Sequence, residues 1–83
     1  MHKRAVTAAD LSSQLDRLIR ERARGPYSRY FNADVPLPIP LTQRDASGCN
    51  WTVVNQPSVT PDAAGFIDLV VSRLRLEYDL MPG

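Results

Sequence analysis

Among its 83 residues the chain has one cysteine, one histidine and six aromatic side chains, and each scarcity excludes something. Cys49 alone forms no intramolecular disulfide, and with His2 as the sole histidine there is no multi-ligand Cys/His zinc site. A chain stabilised without disulfides belongs in a reducing cytoplasm. No stretch approaches the roughly 18 consecutive apolar residues that a membrane span requires. The basic start, Lys3-Arg4, leads to no apolar run, because Asp10, Ser12, Ser13 and Gln14 interrupt it, so no signal peptide is expected. The four glycines, Gly25, Gly48, Gly65 and Gly83, lie far apart and build no phosphate-cradling loop. Asp45, Asp62, Asp68, Glu77 and Asp79 form no close pair suited to acid/base catalysis or a hard cation. The expectation is no cofactor, no metal and no catalysis, in one small domain over residues 1–83 with residues 1–6 frayed.

Proline is abundant, and Pro36, Pro38 and Pro40 alternate with Val35, Leu37, Ile39 and Leu41. In an extended strand, residues two apart point their N–H groups to the same edge, so three prolines at this spacing strip that edge of donors. This predicts a protected edge strand over about 35–43, with the four aliphatic residues forming its inner, apolar face. The rival reading, a polyproline-II ligand, is disfavoured because grooves that bind such ligands read prolines three apart.

A helix is predicted at about 8–24. Thr7 stands three residues before Asp10 in a capping arrangement, and Leu11, Leu15, Leu18 and Ile19 recur at helical spacing. Gly25-Pro26 stops it, and Arg20, Arg22 and Arg24 crowd the negative end of its dipole. Tyr27–Asp34 reads as a connector, with a third strand over 27–33 left open. Asp45-Ala46-Ser47-Gly48 reads as a tight turn leading into a second strand over about 49–55, with Cys49, Trp51 and Val53 inward. Thr60-Pro61-Asp62 opens a second helix. Its inner face carries Ala64, Ile67, Val70, Val71, Leu74 and Tyr78, widened by Phe66 and Leu69. The expected fold class is α+β in the order helix-strand-strand-helix, with two helices on one face of a small antiparallel sheet.

The segment Asp45-Ala46-Ser47-Gly48-Cys49-Asn50-Trp51, followed by an apolar helix ending in Leu76-Glu77-Tyr78-Asp79-Leu80, resembles a set of short uncharacterised bacterial proteins. They look similar in an Asp-x-x-Gly-Cys-Asn-Trp lead into a strand and a C-terminal helix ending in Tyr-x-Leu. The likeness covers about the C-terminal half, and Gly48–Trp51 is its specific part. It implies a recurring turn-and-strand unit and carries over no known activity.

Two surfaces are candidates for function. A two-stranded sheet is marginal alone, and with the first strand sealed by proline, the free edge at Asn50, Thr52 and Val54 could pair with a second copy or another protein. The second surface is the basic segment holding Arg17, Arg20, Arg22, Arg24, Tyr27, Arg29 and Tyr30. Residues 1–30 carry seven Lys/Arg against three acids, whereas residues 31–83 carry three against six. Interleaved Arg and Tyr can engage phosphates and stack on bases, which keeps a nucleic-acid-binding regulator as the alternative. Against it stand Asp16 and Glu21 in the same stretch and a pI of about 7.9. Trp51 reads as a core anchor rather than a stacking platform, and Cys49 as a buried strand residue rather than a nucleophile, since no base accompanies it. The leading expectation is a non-catalytic cytoplasmic protein-interaction module, a homodimer or an accessory subunit, with Arg20, Arg24, Tyr27, Arg29, Tyr30, Asn50, Thr52 and Val54 at its contacts.

Overall fold

The computed structural model describes residues 3–81, so Met1 and His2 of the expected frayed start lie outside the described residues. The fold is α+β. It runs β1 (Arg4–Val6), α1 (Ala8–Arg22), a 3-10 helix (Gly25–Tyr30), β2 (Leu37–Pro40), β3 (Trp51–Val54), α2 (Pro61–Glu77) and β4 (Tyr78–Leu80). The observed order departs from the expected helix-strand-strand-helix, because a 3-10 helix intervenes between α1 and β2 and two further short strands stand at the ends. Arg4–Val6 pair in parallel with Tyr78–Leu80, so those residues of the expected frayed segment instead form part of a sheet. Tyr78, expected on the inner face of the second helix, turns out of it into extended backbone at φ −130° and ψ 146°.

Both α-helices begin where their caps dictate. Thr7 Oγ1 accepts from the Asp10 N–H at 3.1 Å, and Thr60 Oγ1 accepts from the Ala63 N–H at 3.2 Å. Such a cap contributes about 1 kcal/mol relative to alanine. Helix α1 stops at Arg22, short of the expected 24, and Gly25 takes a positive φ of 55° as the chain turns into the 3-10 helix. The connector 27–33 is thus 3-10 helix and turn, and no third strand forms there.

β2 and β3 form an antiparallel hairpin pairing Leu37 with Val54, Pro38 with Val53, Ile39 with Thr52 and Pro40 with Trp51. The Leu41 N–H donates to the Asn50 carbonyl at 2.8 Å. By two-residue alternation the aliphatic N–H groups of β2 face β3, and its prolines present a donor-free outer edge. Over Pro36–Pro38 the expected face is nevertheless inverted, although Val35 packs against the core as expected. Pro36 and Pro38 are buried, while Leu37 is 57% exposed. Directly opposed residues of an antiparallel pair project to the same face. Burial of Trp51 therefore carries Val53 and Pro38 to the inner side and turns Leu37 and Val54 outward, while Pro40, on the Trp51 face at the end of the strand, stays exposed.

Helix α1 packs on β2, α2 on β3, and the two helices on each other. The core joins Leu11, Leu15 and Ile19 of α1, Phe66, Ile67, Val70, Val71 and Leu74 of α2, Cys49 and Trp51 of the hairpin, and Leu80 of β4.

Candidate interaction surfaces

The turn before β3 is a latch. Asp45 Oδ1 accepts from the Ser47 N–H at 3.0 Å, the Ser47 hydroxyl at 2.6 Å and the Cys49 N–H at 3.1 Å, and Arg75 of α2 bonds Asp45 Oδ2. The Ser47 hydroxyl and Cys49 N–H, with Arg75 beside them, hold the Asp45 carboxyl well below the usual carboxylate range. Gly48 closes the turn at a positive φ of 80°. Its carbonyl accepts from Arg44 at 2.8 Å, and Arg44 in turn makes a bidentate pair with Asp79 of β4 at 3.0 and 3.1 Å.

Asn50 and Trp51 fasten β4 to this latch. Asn50 Nδ2 donates to the Leu80 carbonyl at 2.9 Å, and Asn50 Oδ1 accepts from the Leu80 N–H at 2.8 Å, so the side chain imitates a strand neighbour. Trp51 Nε1 donates to the Tyr78 carbonyl at 2.9 Å. On the β3 edge expected to recruit another chain, the Trp51 carbonyl accepts from Arg75 Nε at 3.1 Å. Asn50 therefore faces the chain's own β4. Thr52 and Val54 instead share the outer face of the hairpin with Ile39 and Leu37, and Val54 is 52% exposed. Cys49 is buried, its thiol donating to the Trp51 carbonyl at 3.4 Å.

The Arg/Tyr segment is divided. Tyr27 and Tyr30 lie on Phe66, with ring centroids at 5.4 and 5.1 Å, the latter pair stacked. Arg29 rests over the Tyr30 ring at 4.9 Å and donates to its hydroxyl at 2.7 Å. Arg20 turns elsewhere, pairing with Asp16 at 3.1 Å, donating to the Ala33 carbonyl at 3.0 Å and covering Phe31. Arg24 is exposed and makes no side-chain bond among the described residues. Compared with known proteins, the chain matches no family model, no curated protein and no solved structure.

A groove of about 240 Å³ between α1 and α2 lies beside Tyr27 and went unread in the sequence. Phe66 and Val70 form its floor, Leu18, Leu69 and Tyr27 its walls, and Arg22 and Arg73 its charged boundary. Leu69, assigned from sequence to the widened core face, is 62% exposed. The available signal was the spacing of Leu69, Arg73 and Leu76 at i, i+4 and i+7, a stripe separate from that of Ile67, Val70, Val71 and Leu74. Among the described residues no helix is long and apolar enough to cross a membrane.

Proposed function

We propose that the chain is a small, non-catalytic bacterial protein-interaction module that works in the cytoplasm and self-associates through the outer face of its hairpin. The observation that carries this reading is the pairing of Leu37 with Val54 at 57% and 52% exposure, next to Ile39 and Thr52 on the same face. These four side chains are uncharged and three of them are aliphatic, and a largely apolar sheet face is the kind of surface that a second copy covers in an isologous contact. The contact shifts from the edge of β3 to its face because Arg75 and β4 already engage that edge at Asn50 and Trp51. Four central residues are far fewer than the roughly 20–30 per side of a stable interface, so association is weak and reversible. Arg20 and Arg29 spend donors on Asp16, Ala33 and Tyr30, which favours protein contact over phosphate binding.

Light scattering across a concentration series tests the reading. The mass is expected to rise from 9.3 kDa toward twice that value. Leu37→Lys with Val54→Lys should fold normally and remain at the monomer mass. A wild-type mass that stays at the monomer value throughout the series overturns the proposal.

A further inference from the structure

We propose that the groove between α1 and α2 seats an acidic amphipathic helix from a partner protein. This rests on the interaction-module reading but uses a different surface from the hairpin face. The groove combines an apolar floor with two guanidiniums and is lined by no carboxylate. Arg22 makes no side-chain bond among the described residues. Arg73 commits its Nε to Glu77 at 3.2 Å, and its two terminal NH2 groups have no acceptor among the described residues.

The shape favours a helix over a small molecule. At about 240 Å³ the groove falls below the roughly 300–1,000 Å³ of small-ligand pockets, and it suits one or two apolar anchor side chains. Leu76, two turns beyond Leu69 on α2 and 70% exposed, offers a further apolar contact outside the groove, past exposed Ser72 and Arg73. Seven residues at 1.5 Å each set the two leucines about 10 Å apart, the reach of an i, i+3/i+4, i+7 set of anchors. A partner with Asp or Glu beside those anchors would meet Arg22 and Arg73, gaining both encounter rate and register. A second copy of this chain does not fit groove to groove, since it would bring the same two positive charges into opposition.

The test presents a displayed library of random 16-residue peptides to the full chain. Enriched sequences are expected to carry apolar residues at helical spacing with Asp or Glu among them. The double variant Arg22→Glu/Arg73→Glu should bind those peptides about tenfold or more weakly and should enrich basic ones instead. Leu69→Ser, at an exposed position that leaves the core intact, should also weaken binding. An absence of enrichment, enrichment without helical period or acidity, or equal binding to the charge-reversed variant would overturn the proposal. Each variant's thermal melt is compared with wild type, so that loss of fold is not scored as loss of binding. Failure here with a mass that still rises with concentration would sink the groove alone, whereas a constant monomer mass would sink the hairpin contact.

Discussion

Trp51 is the residue on which the most structure depends, since its ring is fully buried and its Nε1–H reaches the Tyr78 carbonyl. Trp51→Ala is expected to cost about 3–5 kcal/mol in a denaturant titration through lost burial and a residual cavity. Its inward orientation was legible because Cys49, Trp51 and Val53 alternate with Asn50 and Thr52, which are more polar. The partner of its N–H was not legible, since Tyr78 lies in a strand the sequence reading continued as helix. Asp45 shows the same division. Its bonds to Ser47 and Cys49 follow from a local turn, but Arg75 lies 30 residues away. Because the folded-state pKa of Asp45 is depressed, its stabilisation is present above the ordinary carboxylate value near 3.8 and is lost as pH falls below it. In urea titrations between pH 7 and pH 2, Asp45→Asn should be less stable than wild type at pH 7, and the gap should close toward pH 2. A gap constant with pH would mean that the carboxylate charge contributes nothing.

For the elements, spacing decided existence and register decided direction. The caps at Thr7 and Thr60, the two apolar stripes and the turn at Gly48 were readable because each is set within a few residues. The facing of β2 was not, because Pro36, Pro38 and Pro40 alternate with residues more hydrophobic than themselves. Only the register on β3, which puts Pro38 opposite Val53 on the Trp51 face, shows that Pro38 goes inside. The same prolines leave the outer edge of β2 without donors, so Pro38→Val restores one N–H there while changing little volume inside. The variant is expected to fold and to aggregate faster than wild type, measured by turbidity at matched concentration. Unchanged solubility would mean that this edge is guarded by something other than proline.

Over the whole molecule, an α+β arrangement followed from two amphipathic helices around a hairpin. The pairing of β1 with β4 did not, because three-residue strands at opposite ends of the chain have too little periodicity to register. The hairpin face and the inter-helix groove, the two places where interaction is proposed, were legible only in fragments. Thr52 and Val54 belong to the first and Tyr27 to the second, but Leu37, Leu69 and Arg73 join them only after folding. The parallel pair itself has a mechanical consequence. Arg4 stands opposite Tyr78 and Val6 opposite Leu80, so tension between Lys3 and Met81 acts along the strands and loads their hydrogen bonds together. Handles at Arg4 and Tyr78 would instead peel the ladder from one end. Single-molecule pulling should meet a higher rupture force in the first geometry, and equal forces would show that the ladder bears no load. A molecule tethered through the segments flanking β1 and β4 would be gripped in shear, the direction in which a short ladder yields last.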